Sequence, residues 1–174
     1  MTELLYLTDA KICGGTGFSV RTPREAARAV LLDDDGKMAL LFITKYGFYS
    51  LPGGGIERGE TRLDALRREM REETGCMIED DPIELGCVYE NRYRFNCTQR
   101  SYYYLARVKG RKGTPNLTTN EQRDGTRLCW TTPRKALELL SGGISDGYRV
   151  EFIKARDTAA ILASGVLMGD LAKD

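Results

Sequence analysis

Apolar and polar positions fall along the chain in blocks, and the period changes from block to block. Residues 26–33, AARAVLLD, are an almost unbroken apolar run and predict a strand. DDDG at 33–36 is turn-rich, and KMALLFITK at 37–45 predicts a returning strand, so the pair reads as a β-hairpin. FYSL at 48–51 predicts a short strand that runs into Pro52 and three glycines. From residue 61 the period becomes helical: Leu63, Leu66 and Met70 fall at i, i+3 and i+7. Thr61 is the expected N-cap, Asp64 completes a capping box, and Gly75 suits C′ after a helix ending near Thr74.

Residues 83–96 and 99–108 predict a second long hairpin, joined near Cys97 and Thr98. Within it Tyr89, Asn91, Tyr93 and Phe95 alternate with Glu90, Arg92 and Arg94. The favoured reading is an aromatic core face with a solvated charged face. The sharper reading stacks a nucleobase on a tyrosine and sets an arginine on phosphate, making Arg92, Tyr93 and Arg94 candidate substrate-binding residues. Residues 110–116 read as a loop and 128–132 as a strand, with Trp130 expected in core packing. Thr132 and Pro133 open a helix over PRKALELL. A last helix over 148–164 carries Val150, Ile153, Ala160 and Ile161 on its apolar face, and the tail GDLAKD is expected to be frayed or surface-bound. Hairpin strands around one central helix, with helices at the end, predict an α/β sandwich rather than a regularly wound βαβ sheet.

The helix over 61–74 poses a problem. Glu69, Glu72 and Glu73 crowd its last turn, where the helix dipole disfavours anions. Glu69 and Glu73 are also like charges at i,i+4, which costs roughly 0.2–0.5 kcal/mol. At about 100° per residue the three fall on a flank of the apolar face, at a cleft edge rather than in the core. A solvated, salt-bridged face is the bland alternative, with Asp64–Arg68 and Arg68–Glu72 as opposite pairs at i,i+4. It leaves the triple glycine and the misplaced anions unexplained.

Composition narrows the chemistry. A chain of 174 residues suits a single domain over 1–174, and a net charge of +1 gives no reason to expect bulk nucleic acid or an anionic membrane as partner. There is no apolar run long enough to span a bilayer, and MTELLYLTDAK lacks the pattern of a secretory signal. The five cysteines are odd in number and show no CxxC spacing, which fits reduced thiols and a cytoplasmic location. Histidine is absent, so neither a Ser-His-Asp triad nor an imidazole zinc site can be built. Any metal site is oxygen-rich and favours hard cations such as Mg²⁺ or Mn²⁺.

Read as a unit, Gly54, Glu60, Arg68, Glu69, Met70, Glu72, Glu73, Gly75 and Cys76 stand at the spacing Gly-x5-Glu-x7-Arg-Glu-U-x-Glu-Glu-x-Gly-U, U being a large apolar residue. This resembles the Nudix box of the MutT-like Nudix hydrolases. Only Cys76, in the final apolar slot, departs from it. The resemblance covers about residues 24–140, leaving the first twenty or so residues and the helix over 148–164 as decorations. It implies the Nudix fold, an α/β/α sandwich with a mixed central sheet, and metal-dependent hydrolysis of a nucleoside diphosphate linked to another moiety. It implies Glu69, Glu72 and Glu73 as the metal-binding set with the Gly53 carbonyl, and Arg68 with Glu60 as the pair that orients them. Gly54 and Gly55 would let the loop pass close to the helix.

Many relatives use a further glutamate from a later loop, as ligand or base; Glu121 is the candidate and Glu90 a poorer one, and which carboxylate is the base stays open. The proline-containing signatures of the ADP-sugar and NADH branches are missing, as is the coenzyme A signature. A homodimer is the family's reasonable expectation. Two alternatives remain beside hydrolysis: a silent Nudix-fold nucleotide sensor, which should have lost box glutamates, and an enzyme resembling isopentenyl diphosphate isomerase.

Overall fold

A computed structural model describes residues 2–142 and 147–167; the tail GDLAKD lies outside them. In chain order the elements are β1 (Glu3–Thr8), α1 (Asp9–Cys13), β2 (Arg24–Leu32), β3 (Met38–Ile43), β4 (Phe48–Ser50), β5 (Gly53–Gly55) and α2 (Arg62–Glu69). They continue with β6 (Ile83–Arg92), β7 (Cys97–Arg107), α3 (Thr119–Arg123), β8 (Thr126–Thr131), α4 (Pro133–Ser141) and α5 (Tyr148–Ala163). One mixed sheet runs β1-β6-β7-β2-β3-β4, with β5 paired to β2 and β8 to β3. β1 runs parallel to β6 and β2 parallel to β7, while the other pairs are antiparallel.

The unbroken apolar run of β2 follows from its place in this sheet, since a strand covered on both faces has no solvated side. Ala27, Ala29 and Leu31 pack with Ala65, Leu66 and Met70 of α2. Val30 and Leu32 pack on the other side with Leu140 of α4 and Phe152 and Ile161 of α5. This is the expected α/β/α sandwich, with helix 148–164 reproduced almost residue for residue. Trp130 is partly buried at the rim of the α2-side core, with the Lys112 ammonium 4.0 Å from its ring centroid.

Five local expectations are corrected. The hairpin over 26–45 keeps its turn, where Lys37 N–H donates to Asp33 Oδ1 at 2.7 Å, but its strands stay paired only at Leu32 and Met38. Beyond that pair β7 and β5 occupy the edges of β2, and β4 and β8 those of β3. The triple glycine forms strand β5, in register with Ala26–Arg28, rather than a loop. The polar stretch around 119–123 is the short helix α3, which no apolar stripe announced. The opening segment is built into the fold: β1 is an edge strand of the sheet, and Asp9 accepts hydrogen bonds from Tyr148 Oη and, at 3.1 Å, from Tyr93 N–H.

The fifth correction concerns residues 89–95. The strand ends at Arg92, and Tyr93–Phe95 form a 3₁₀ turn closed by Asn96 at φ 45°. Burial follows position along the chain rather than side: Glu90 and Asn91 are 0% exposed and Arg92 6%, whereas Tyr93 and Phe95 are 53% and 57% exposed, and Arg94 between them is exposed too. Burial of Glu90 requires partners, and a distant helix supplies one. Its carboxylate accepts from Arg92 Nε at 3.0 Å, Gln99 Nε2 at 3.0 Å and Arg156 Nη1 at 3.4 Å. Arg156 Nε reaches Asp157 at 3.0 Å, and Asp157 also accepts from Leu51 N–H at 2.9 Å and the Tyr103 hydroxyl at 2.5 Å.

Removing one member of such a network leaves its partners buried and unsatisfied. Asp157→Ala is expected to lower the free energy of unfolding by about 3–5 kcal/mol in urea titration. A loss below about 1 kcal/mol would show that the network contributes little to holding α5 in place.

Candidate active site

The site begins where a strand without side chains passes a helix crowded with acids. A Cβ on Gly54 would lie 2.3 Å from Glu69 Oε1, so any larger residue there would push the Glu69 carboxylate aside. The approaching helix starts at the predicted capping box, with Thr61 Oγ1 accepting from Asp64 N–H at 3.1 Å. It does not end as a regular α-helix. Met70–Thr74 form a π turn closed by Gly75 in the left-handed region at φ 69°, and Thr74 Oγ1 donates to the Met70 carbonyl at 2.5 Å. The wider turn carries Glu72 and Glu73, so their placement relative to Glu69 departs from ideal helical spacing.

One guanidinium organises this corner. Arg68 donates to both oxygens of Glu60, from Nε at 2.8 Å and Nη2 at 3.0 Å. The same Nη2 reaches the Gly55 carbonyl at 2.9 Å, and Nη1 reaches Glu69 at 2.7 Å and Glu72 at 3.2 Å. The predicted Arg68–Glu60 support is therefore present, and it extends to the glycine strand. The Arg68 fork holds the Glu60 carboxyl down to about 2.

Glu69 and Glu73 are each 7% exposed. Burial pushes both carboxyls up; for Glu73 the charge of Glu69 is the next contribution, and for Glu69 the Arg68 guanidinium opposes the rise. Gly53 N–H donates to Glu73 Oε2 at 2.5 Å, and the Gly53 carbonyl accepts from Arg28 Nη1 at 2.6 Å. Among the described residues no three acidic side chains converge into a ready-made cage. Glu69 and Glu72 are turned to Arg68, and Glu73 to the Gly53 amide. The donor chemistry nonetheless fits a hard divalent cation. All donors are oxygens, two belong to buried carboxylates, and the charge of Glu69 helps to raise the Glu73 carboxyl.

Glu73 and Gly53 also line a cavity of about 470 Å³. Glu121, expected from a later loop, lies on its wall with one carboxylate oxygen capping α3 through Thr118 N–H at 2.7 Å. Tyr46, Phe48, Phe95 and Tyr148 form an aromatic side. Glu90 is sealed in the buried network and is not available as a base.

The three candidate substrate-binding residues separate. Arg92 lines a recess next to the cavity but is tied to Glu90. Arg94 lies over the Tyr148 ring, 5.0 Å from its centroid, and Tyr93 packs where a Cβ of Gly17 would stand. Neither Tyr93 nor Arg94 lines the cavity.

Sequence reasoning missed Arg28, Arg149 and Arg156 on the cavity wall. A usable signal existed for two of them: a lone charge inside the apolar run of β2, and an Arg-Asp pair on the otherwise apolar face of α5.

The family described as NUDIX domain matches residues 22–149. A MutT-like protein of Streptomyces ambofaciens is 30% identical over 130 residues, covering 75% of each chain. An RNA pyrophosphohydrolase of Erythrobacter litoralis is 28% identical over 109 residues, covering 54% of this chain and 65% of the relative. Among solved structures, a NUDIX hydrolase from Nitrosomonas europaea shares the fold at a TM-score of 0.58 and 19% identity, covering 78% of this chain and 92% of its own.

The Arg68 fork predicts a titration. A folded value below the ordinary carboxyl range means that Glu60 adds stability at neutral pH, which is lost as pH falls from 4.5 toward 2. Carboxyl carbon shifts should place the Glu60 midpoint near 2 in the native protein and move it back toward 4.5 in Arg68→Gln. A native midpoint near 4.5 would mean that the fork is not formed in solution.

Proposed function

Because the chain belongs to the NUDIX domain family, that of the Nudix hydrolases, we propose that it cleaves a pyrophosphate bond in a nucleotide-type substrate, a nucleoside diphosphate linked to a further moiety, with Mg²⁺ or Mn²⁺. The observation that carries this reading is a pair of buried carboxylates, Glu69 and Glu73, set beside bare glycines at the edge of an aromatic cavity. Burying two like charges together is costly unless a cation meets them.

Glu69, Glu72, Glu73 and the Gly53 carbonyl are the groups that would hold the ion. Glu72, half-buried on the π turn, has to leave Arg68 to join them. When bound, the ion neutralises phosphate oxygens and makes the attacking water more acidic. Arg68 and Glu60 keep the carboxylates oriented, and the backbone N–H of Gly53 steadies Glu73. Glu121 faces the same cavity from α3 and has an oxygen outside the helix cap with which to hold a proton. The aromatic side of the cavity, Tyr46, Phe48, Phe95 and Tyr148, suits a nucleobase. The name of the Erythrobacter relative, an RNA pyrophosphohydrolase, supports cleavage of a pyrophosphate bond.

The test is a panel of nucleoside triphosphates, oxidised nucleotides, dinucleoside polyphosphates, ADP-ribose and sugar nucleotides. Each is run with Mg²⁺, with Mn²⁺ and with EDTA, and phosphate is read after a coupling phosphatase. Release from one class, abolished by EDTA, is the expected result. Glu72→Gln and Glu73→Gln should each cut turnover by roughly 10²–10⁴-fold while the melting temperature holds or rises, because each variant relieves repulsion. Full activity in both variants would remove these carboxylates from the reaction.

A further inference from the structure

The cavity adjoins a second recess of about 310 Å³ that is lined by five arginines: Arg24 and Arg28 from β2, Arg92 from β6, and Arg149 and Arg156 from α5. Arg28, Arg149 and Arg156 line both spaces, so the two are neighbours. Three separate stretches of chain bring these cations together in a protein whose net charge is only +1.

The carboxylates behind the recess are already committed. Glu90 pairs with Arg92 and with Arg156, and Asp157 with Arg156. Arg24, Arg28 and Arg149 form no ion pair among the described residues. Arg28 Nε is buried with no hydrogen-bond partner, a costly state that an acceptor in the recess would relieve. Arg24 lies along the glycine strand, its Nη2 within 2.6 Å of where a Gly55 Cβ would stand. Arg149 is on the first turn of the sixteen-residue helix α5, whose N-cap, Gly147, has no side chain to offer. The positive end of that helix dipole adds to the guanidinium charges. Burial and the neighbouring cations Arg92, Arg156 and Arg24 push Arg149 below its ordinary value; Asp124, the acidic group on its cavity side, is paired at 2.7 Å with Lys45.

We propose that this arginine recess binds a phosphate group lying beyond the scissile linkage, so that the protein favours substrates with three or more phosphates over two-phosphate sugar nucleotides. Guanidinium forks fit phosphate oxygens in pairs, and several forks converge on one recess. The identity of the ligand rests on the proposed hydrolysis; the existence of an anion subsite does not.

The test separates the two. Metal-free protein in EDTA, at about 0.15 M salt so that loose surface charge is screened, is titrated calorimetrically with inorganic tripolyphosphate and with inorganic phosphate. The native protein should bind tripolyphosphate at least tenfold more tightly than phosphate. The double variant Arg24→Gln/Arg149→Gln, which spares the buried network, should weaken tripolyphosphate binding by about tenfold or more. Arg107→Gln, on β7 away from the recess, should bind as the native protein does. The double variant should also raise KM for a triphosphate substrate more than for a sugar nucleotide, with kcat little changed. No binding by the native protein, or equal binding by the double variant, overturns the subsite. Arginine-dependent binding without turnover of any panel substrate upholds the subsite and removes the hydrolysis reading instead.

Discussion

The Arg68 guanidinium is the contact on which the site depends. One planar group makes paired bonds to Glu60, touches the Gly55 carbonyl, and reaches Glu69 and Glu72. It thereby joins the loop before α2, the glycine strand and the end of the helix. A lysine could satisfy one or two of these partners but not the fork, because its charge is a point and its donors are not coplanar. Without this cation the carboxylates would repel one another at the negative end of a helix, and the π turn would have no reason to hold them there.

A second polar framework stands behind the first. Asp157 receives the amide of Leu51, two residues ahead of Gly53, while Arg156 spans to Glu90 on β6. The last helix is thus bonded to the segment that leads into the glycine strand. Its burial of charge is expensive, yet each carboxylate has several donors, the condition under which buried ions persist. The opening segment is tied in at the same end through Asp9 and Tyr148. Segments that lie outside the box therefore help to shape the cavity next to it.

Between these two frameworks the cleft is polarised. Glu73 and Glu121, the arginines and the aromatic rings all line it. Arg24, Arg28 and Arg149, which no ion pair among the described residues neutralises, keep their fields directed into the space where a charged ligand would lie.

What the sequence by itself determined is local and periodic. The helical stripe of Leu63, Leu66 and Met70, the Thr61–Asp64 cap, the Gly75 end and the spacing of Glu60, Arg68, Glu69, Glu72 and Glu73 are all short-range relations, and the structure keeps them. So is the apolar face of α5. What only the tertiary structure decided involves partners far apart in the chain. β2 leaves its hairpin because β7 and β5 compete for its edges. Glu90 is buried because Arg156, sixty-six residues away, is there to meet it. Arg24, Arg28 and Arg149 become neighbours only when β2 and α5 face one cleft. Propensity and periodicity act over a few residues, whereas the burial of a charge depends on which distant group arrives to compensate it.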